Sequence, residues 1–295
     1  MNTIIIDGKK IADDIKSEIA AEVRTLLDAH LRTPHLAAVM VGEDPASLTY
    51  VNNKSKSCLE VGFTSSLYKY EETITENKLL EAIDFLNNDN EVDGFIVQLP
   101  LPKHISAQKV IARIDPAKDV DGFHPVNLGR MLLNEPAFLP ATPFGIIQLL
   151  ERYNIETEGK NCVVLGRSNI VGTPISVLLS RNANPGNCTV TLCHSKTVNV
   201  KEICANADIL VVAIGKREFV TADMVKKGAV VIDVGMHRVP SDQTKSGFKL
   251  VGDVNYNAVF NKCSYITPVP GGVGLMTVAS LLLNTLKAYK KEFQF

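Results

Sequence analysis

The sequence predicts an α/β protein of two domains, the second a doubly wound parallel sheet. Short runs of β-branched and apolar residues alternate with helical patterns along most of the chain, which is the pattern of strand, helix, strand units. The length of 295 residues suits two domains. A glycine-containing turn at 166–172 joins one of these runs to a helical pattern, a junction typical of this architecture.

The predicted strands are short, continuously apolar, and bounded by glycine, proline or polar residues. Such runs suit strands that are buried on both faces of a parallel sheet, and right-handed crossovers connect them. The six predicted strands are 36–41, 94–99, 161–165, 189–193, 209–214 and 229–234.

Between the strands, apolar residues recur three or four positions apart, which places them on one face of a helix. Thr75 is a candidate N-cap, and Thr142 offers an N-cap followed by proline at the first helical position. The apolar stripe of the last helix must be buried, and we expect this helix to return to the first domain. The predicted helices are 11–27, 47–59, 75–86, 142–153 and 274–290.

A proline-rich stretch at 115–145 interrupts the alternation and marks a domain boundary. We therefore assign 1–140 plus 275–295 to the first domain and 141–274 to the second. Within the second domain, the polar and glycine-bearing residues 239–249 are expected to form a loop.

Charge and composition exclude several classes of partner. The net charge of −1 gives no field that would collect nucleic acid or an anionic membrane. The apolar runs are far shorter than the about 18 residues of a membrane helix, and the early isoleucine run is too short for a signal peptide. Six cysteines without metal-ligand spacing are expected to be reduced thiols. We therefore expect a cytoplasmic protein without a metal site.

The turn after the strand at 161–165 has the context of a phosphate-binding loop, because the N–H groups at a helix N-terminus bind phosphate. Its outer glycines, Gly166 and Gly172, are six positions apart, and Ser168 stands where the dinucleotide fingerprint has its middle glycine. A tight turn without a ligand therefore remains an alternative.

The same turn resembles the nucleophile elbow of hydrolases, with Ser168 as the nucleophile. Asp233 and His237 follow in the chain order of a catalytic triad, but Ile170 replaces the second glycine of the elbow. A hydrolase is the minor alternative.

Residues 159–201 contain no Asp or Glu, although the composition of the chain predicts about five in a window of this length. NAD sites carry a carboxylate on the ribose 2′-hydroxyl about 20 residues after the glycines, whereas NADP sites supply cations there. The window therefore favours NADP, although a solvated surface would also explain Arg181 and Lys196. Its cations are Lys160, Arg167, Arg181, Lys196 and Lys201.

Polar groups in the first half of the chain form a second candidate site. Tyr50 and Lys54 share one face of a predicted helix and offer a ring that can stack on a planar ligand and an amine that can act as a base. A surface lysine lying along a tyrosine is the alternative. Gln98 ends a buried strand, where α/β sites gather, and 119–122 could equally be a plain Asx-turn.

Six segments occur in one order along nearly the whole chain: Tyr50 with Lys54, then 97–102, 118–122, 166–174, 193–197 and 268–277. Together they resemble the bifunctional methylenetetrahydrofolate dehydrogenase/methenyltetrahydrofolate cyclohydrolase family. The resemblance implies a Rossmann-like second domain and two successive reactions in one cleft. Hydride passes from 5,10-methylenetetrahydrofolate to NADP, and water then opens the methenyl product to 10-formyltetrahydrofolate.

The resemblance also implies roles for single residues. Lys54 would activate water or shuttle its proton, Gln98 would position Lys54, and Tyr50 would stack on the folate. Asp121 would accept hydrogen bonds from the pterin. The implied catalytic residues are Lys54, Gln98 and Tyr50, and the implied substrate-binding residues are Tyr50, Asp121, Gln98, Leu99, Pro100, Pro270, Gly271 and Gly272.

On the cofactor side, Arg167, Ser168 and Ser195 would contact the ribose phosphate. Arg167 and Ser168 also occur in relatives that use NAD, so the acid-free window is the reason for preferring NADP. Family members are usually homodimers. A dehydrogenase without the hydrolytic step and a non-catalytic NADP- or folate-binding module are the other hypotheses. The implied cofactor-binding residues are Gly166, Arg167, Ser168, Gly172, His194, Ser195, Ile214 and Gly235.

Overall fold

The structure is a computed structural model that describes residues 2–242, 244 and 247–293, apart from the side chain of Ala46. The chain divides into two compact units. One, the six-stranded unit, contains the residues up to Ala12 and Thr142–Thr277. The other, the three-stranded unit, contains Asp13–Ala141 and the residues from Val278 onward.

Strands and helices alternate through both units. The strands are β1 (Ile4–Ile5), β2 (His35–Val41), β3 (Thr64–Tyr70), β4 (Gly94–Val97), β5 (Asn161–Leu165), β6 (Thr189–Cys193), β7 (Ile209–Val212), β8 (Val230–Asp233), β9 (His237–Pro240), β10 (Phe248–Val251) and β11 (Tyr265–Ile266). The helices are α1 (Gly8–Asp28), α2 (Pro45–Glu60), α3 (Glu76–Asn88), α4 (Ala107–Arg113), α5 (Pro125–Leu132), α6 (Ala141–Arg152), α7 (Gly172–Ser180), α8 (Val200–Ala205), α9 (Tyr256–Val259) and α10 (Val273–Tyr289).

The three-stranded unit is built on a parallel sheet with the order β3-β2-β4. Its central strand β2 is almost wholly buried, as expected for an apolar run covered on both faces. On one face, Val39 and Phe95 pack with Ile83 of α3 and Val110 of α4 in a continuous apolar cluster. The carboxyl ends of β2 and β4 therefore lie side by side on a rigid support.

The six-stranded unit is built on a second parallel sheet, with the order β1-β11-β8-β7-β5-β6. Each of β5, β7 and β8 is buried over most or all of its length. Val163, Leu210 and Val231 from three neighbouring strands share one apolar cluster with Cys204 and Val259. The doubly wound parallel sheet predicted from the sequence is confirmed.

Each of the six predicted strands corresponds to an observed strand, and the ends of the strands predicted at 94–99 and 209–214 are corrected to Val97 and Val212. Gln98, Leu99 and Pro100 follow β4 as a loop whose Leu99–Pro100 peptide is cis. The predicted helices are also observed, with ends that shift by up to three residues. Thr75 caps α3, since its hydroxyl accepts a hydrogen bond from Lys78 N at 3.4 Å.

Two local predictions are wrong. Thr142 is not an N-cap, because α6 begins one residue earlier and the Thr142 hydroxyl lies 3.0 Å from the Thr277 hydroxyl instead. Residues 239–249 are not simply a loop, because β9 and β10 pair as an antiparallel hairpin. Residues 243, 245 and 246 of that prediction lie outside the described residues.

The division of the chain differs from the predicted boundaries at the N-terminus. Residues up to Ala12 belong to the six-stranded unit rather than with 13–141. The reason is strand pairing: β1 extends the six-stranded sheet by bonding to β11, with Ile4 N donating to Ser264 O at 2.8 Å. Near the other end of the chain, the division falls within α10, after Thr277.

Two negative findings apply to the described part of the chain. None of its helices combines the length and apolar character that crossing a bilayer requires. All six cysteines are buried and free, as expected for reduced thiols.

Candidate active site

The first cluster of predicted site residues lies at the carboxyl edge of the three-stranded sheet. Helix α2 begins beside Asp44, whose carboxylate accepts a hydrogen bond from Ser47 N at 2.7 Å, and carries Tyr50 and Lys54 one turn apart. Lys54 Nζ donates to Gln98 Oε1 at 3.4 Å. Two residues that are 44 positions apart in sequence are thus in contact.

Gln98 is held so that its side-chain oxygen faces the lysine. Its backbone N–H donates to Val39 O at 2.8 Å, which continues the sheet by one residue. Its side-chain Nε2 donates to Leu99 O at 2.7 Å, so the amide oxygen remains for Lys54 Nζ. Leu99 is half-buried and Pro100 is exposed in the following loop.

Asp121 belongs to the same cluster through its electrostatics. Burial raises the pKa of the Asp121 carboxyl, and the positive charge of Lys54 acts in the opposite direction. Tyr50 is 45% exposed on the same helix as Lys54, so its ring is open to solvent. The arrangement offers an amine, an amide, a carboxyl and an aromatic ring within one small region.

The turn that carries Asp121 is organised by a second carboxyl, Asp119, which is 1% exposed. Asp119 Oδ2 accepts hydrogen bonds from His124 N at 2.7 Å and Asn127 Nδ2 at 2.9 Å. Burial is the main cause that raises the pKa of Asp119 to about 7. The plain Asx-turn considered as an alternative is not formed, because the Asp119 carboxylate bonds groups at 123, 124 and 127 rather than the N–H two residues on. These bonds hold the segment that carries Asp121.

Glycine makes the second turn possible, between β5 and α7. Gly166 has a φ of +111°, and a Cβ on it would lie 2.1 Å from Ala213 O. A Cβ on Gly172 would lie 2.0 Å from Gly166 O. Ser168 Oγ accepts from Val171 N at 3.2 Å, at the start of the helix. Both glycines of the predicted motif are required by close backbone approach.

The end of β6 lies beside this turn, since Gly166 N donates to Cys193 O at 2.9 Å. His194 is half-buried, and its ring Nδ1 accepts from Lys196 N at 3.2 Å, whereas Ser195 is exposed. The predicted cofactor residues of the two strands are thereby brought to one edge of the six-stranded sheet.

Two of the five cations of the acid-free window already have acidic partners. Lys160 pairs with Glu156 and Lys201 pairs with Asp223, both acids from outside the window. Arg167 is exposed in the glycine turn and, within the described residues, has no ion-pair partner. Such a cation can meet a phosphate without breaking an existing ion pair.

Ile214 and Gly235 meet at a carboxylate that the sequence analysis missed. Asp253 Oδ2 accepts from Ile214 N at 2.8 Å, and a Cβ on Gly235 would lie 2.4 Å from Asp253 Cγ. The available signal was an acidic residue inside an apolar run, since Asp253 lies between Val251 and Val254. Asp233 in the run 230–234 gives the same signal.

Pro270, Gly271 and Gly272 belong to the six-stranded unit, unlike the other predicted substrate residues. Gly271 has a φ of +104° and its carbonyl accepts from Lys9 N at 3.1 Å. A Cβ on Gly8 would lie 2.2 Å from Gly272 O. Glycine is therefore needed on both sides of this close backbone contact.

The catalytic triad of the hydrolase alternative does not form. His237 Nε2 lies 2.7 Å from Asp253 Oδ1, whereas Asp233 accepts backbone N–H groups from Gly235 and Val254. Ser168 Oγ instead accepts from Val171 N and Gly172 N just before and at the start of α7. No group of three or more His, Cys, Asp or Glu side chains in the described ranges is arranged to hold a metal ion.

The fold and these two clusters define an α/β enzyme with a dinucleotide-type turn on one sheet and a lysine-amide pair on the other. Sequence families match both parts: residues 6–121 match the tetrahydrofolate dehydrogenase/cyclohydrolase catalytic domain, and residues 140–293 match the NAD(P)-binding domain of the same family. The chain belongs to the tetrahydrofolate dehydrogenase/cyclohydrolase family.

Individual relatives agree over nearly full length. The bifunctional protein FolD of Porphyromonas gingivalis is 60% identical over 286 residues, which cover 97% of each chain. The crystal structure of the bifunctional enzyme FolD from Campylobacter jejuni is 44% identical with a TM-score of 0.92, covering 99% of this chain and 100% of that one. The Trypanosoma brucei dehydrogenase-cyclohydrolase, solved with NADP cofactor and an inhibitor, is 36% identical with a TM-score of 0.93, covering 99% of each chain.

Proposed function

We propose that this chain oxidises 5,10-methylenetetrahydrofolate with NADP and hydrolyses the methenyl product to 10-formyltetrahydrofolate. The observation that carries the proposal is the contact of Lys54 Nζ with Gln98 Oε1 at 3.4 Å, beside Asp121, in a chain of this family. The pair needs both members, because the amide fixes where the amine points.

The hydrolytic step requires a group that removes a proton from water as the water oxygen attacks the methenyl carbon. Lys54 is the proposed base: its amine accepts one water proton as the new C–O bond forms. The ring C–N bond then breaks as the remaining hydroxyl proton leaves to give the formyl C=O and the departing ring nitrogen takes up a proton, so that the net product is one proton held by Lys54. Gln98 accepts a hydrogen bond from the Lys54 amine and so fixes the position of its nitrogen. The substrate cation disfavours a second positive charge nearby, which assists the neutral amine.

The pterin ring is the proposed partner of Asp121 and Tyr50. A carboxylate accepts two N–H groups of a planar heterocycle at once, which fixes orientation as well as affinity. The exposed ring of Tyr50 supplies a stacking surface one helical turn from Lys54. We place Leu99, Pro100, Pro270, Gly271 and Gly272 in the remaining substrate contacts by family resemblance.

The glycine turn fits a dinucleotide, since both of its glycines allow a backbone approach that a Cβ would block. We propose that Gly166 and Gly172 line the pyrophosphate site and that Arg167, Ser168, His194 and Ser195 hold the ribose phosphate. Ile214 and Gly235 would line the remainder of the site. When bound, NADP accepts the hydride from the methylene carbon.

We further propose a homodimer in the cytoplasm with neither nucleic acid nor membrane as partner. The family resemblance supports the dimer, and the net charge of −1 is consistent with the lack of polyanionic partners. Light scattering during size-exclusion chromatography tests the dimer, and a mass of one chain would contradict it.

Absorbance changes after mixing the protein with methylenetetrahydrofolate test the proposed reactions. We expect the methenyl absorbance band to rise with NADP, to rise far less with NAD, and to decay as the product is hydrolysed. Addition of magnesium and phosphate to the NAD reaction shows whether they are needed. Equal rates with NAD and NADP would contradict the cofactor preference, and a methenyl band that decays only at the rate without enzyme would contradict the hydrolytic step.

A further inference from the structure

A buried carboxylate lies behind the predicted cofactor loop that follows β7. Asp253 is 0% exposed, and its Oδ2 accepts hydrogen bonds from Ile214 N at 2.8 Å and Gly215 N at 2.9 Å. Two consecutive N–H groups that converge on one oxygen fix the local backbone, because each would otherwise be an unsatisfied donor.

The other oxygen of the same carboxylate fixes its orientation. Asp253 Oδ1 lies 2.7 Å from His237 Nε2 at the start of β9. The carboxylate therefore connects the loop after β7 with the segment after β8. Rotation of the carboxylate would break its bonds to the Ile214 and Gly215 amides and its contact with the His237 ring, so these three groups hold it in one orientation.

A second buried carboxyl holds Asp253 itself in place. Asp233, at the end of β8, is 3% exposed and accepts from Asp253 N at 3.0 Å and from Gly235 N at 2.9 Å. Glycine is needed at Gly235 for this arrangement, because a Cβ there would lie 2.4 Å from Asp253 Cγ. The two carboxyls thus organise the loops at the carboxyl ends of neighbouring strands.

Carboxyl ends of neighbouring parallel strands are where α/β folds bind dinucleotides. Ile214 and Gly235 were assigned to the cofactor by resemblance alone, yet both lie against Asp253. We propose that Asp253 is a positioning residue, whose carboxylate holds the Ile214 and Gly215 backbone in the shape that binds NADP. The inference rests on the proposed function, because it assumes that this loop borders the cofactor.

Asp208 provides a control at the opposite end of β7, the strand that leads into the Ile214 and Gly215 loop. It precedes β7, accepts from Asn161 N at 2.9 Å, and pairs with Lys226 at 2.5 Å. Asp208 therefore makes the same type of carboxylate to backbone bond, but at the edge of the sheet away from the predicted cofactor residues. Asp208 is matched to Asp253 in bond type but not in burial, since its side chain is 29% exposed and Asp253 is buried.

The experiment measures the Kd for NADP by titration calorimetry for Asp253→Ala, Asp253→Asn and Asp208→Ala. We expect Asp253→Ala to raise the Kd by about 10-fold or more, because two N–H groups lose a charged acceptor. Asp253→Asn keeps an oxygen for the loop and should raise the Kd by only about threefold. Asp208→Ala should leave the Kd unchanged.

Hydrolysis of methenyltetrahydrofolate without cofactor serves as a control for the rest of the site, since its proposed catalytic residues Lys54, Gln98 and Tyr50 belong to the three-stranded unit. We expect Asp253→Ala to retain this activity. If Asp253→Ala does not fold, Asp253→Asn carries the test together with hydrogen exchange of the Ile214 and Gly215 amides. Faster exchange with a raised Kd would support the proposal.

An unchanged Kd for NADP in the folded Asp253 variants would overturn the inference, as would an equal effect of Asp208→Ala. Failure of the proposed function gives a different result: the wild-type chain would then bind no NADP, or would bind it without oxidising methylenetetrahydrofolate. The two failures are therefore distinguishable by titration and activity of the wild-type chain.

Discussion

At the scale of single residues, Arg167 is the residue that we propose to favour NADP over NAD. Its guanidinium is exposed in the glycine turn, and no carboxylate lies anywhere in 159–201 to neutralise or replace a phosphate. We expect Arg167→Ala to weaken binding of NADP much more than binding of NAD, by about 1 to 3 kcal/mol, because only NADP carries the 2′-phosphate.

Lys160→Ala is the control for this prediction. It removes the same charge from the same window, but the Lys160 amine is already paired with Glu156 at 2.7 Å. Titrations of both variants with both dinucleotides measure the ratio of the two Kd values. An equal loss of affinity for NADP and NAD in Arg167→Ala would show that Arg167 does not contact the 2′-phosphate.

The same scale shows what residue types reveal without coordinates. Lys54 and Gln98 could be named from the sequence because their segments match a family pattern, yet their contact joins a helix to a strand end that are far apart in sequence. Asp119 and Asp253 could not be named from spacing. Their roles arise from hydrogen bonds to the backbone N–H groups of other residues. Spacing in a sequence does not show which backbone groups a side chain will meet.

At the scale of elements, the junction of β5 and α7 depends on two glycines that the backbone itself requires. We expect Gly166→Ala to abolish NADP binding and to lower the melting temperature, because its new Cβ would meet Ala213 O at 2.1 Å and the φ of +111° is strained for alanine.

Gly159→Ala separates strain from collision. Gly159 also has a positive φ, of +70°, but no heavy atom lies within 4 Å of the position that its Cβ would take. We expect a modest loss of stability, of about 1 kcal/mol, with NADP binding intact. Thermal unfolding and calorimetry of the two variants test this difference. Intact NADP binding in Gly166→Ala would show that the close approach is not needed.

Three of the strands that the sequence did not predict, β3, β9 and β10, share a physical cause. Strand β3 is half-exposed at the edge of its sheet, and its residues 64–70 include only one aliphatic side chain. The hairpin of β9 and β10 is likewise largely exposed. Apolar runs reveal strands that are buried on both faces, and these strands are not. Strand β1 has only two residues, and its pairing with β11 is long-range.

At the scale of the whole molecule, a buried carboxyl with a raised pKa in each unit makes stability depend on pH. Burial is the main cause that raises the pKa of Asp119 to about 7 and that of Asp233 to about 6. In the unfolded chain an aspartate titrates near about 3.9. Between these values the folded state binds more protons, so the contribution of each group to stability falls as pH rises and is lost above its folded pKa.

Asp119→Asn removes this contribution from the three-stranded unit. We expect the free energy of unfolding of the wild type minus that of the variant to be more positive at about pH 4.5 than at about pH 7.5. Urea unfolding at the two pH values measures it. Carboxylates with a lowered pKa, such as Asp84 beside Arg113, lose their contribution below about pH 4, outside this window. If the free energy of unfolding of the wild type minus that of the variant became more positive as pH rises, the raised pKa of Asp119 would be contradicted.

The proposed chemistry of the whole molecule depends on the lysine amine that contacts Gln98, and substitution of that lysine tests it most directly. Lys54→Met keeps the length and the apolar stem of the side chain but removes the amine. Lys56→Met is the control, because Lys56 is two residues further on the same helix with a side chain that is 78% exposed.

The decisive measurement follows both activities of Lys54→Met and Lys56→Met by absorbance. We expect Lys54→Met to hydrolyse methenyltetrahydrofolate at least about 100-fold more slowly, as for loss of a general base, and to retain part of its NADP-dependent oxidation. Lys56→Met should match the wild-type chain in both reactions. Full cyclohydrolase activity in Lys54→Met would contradict the account.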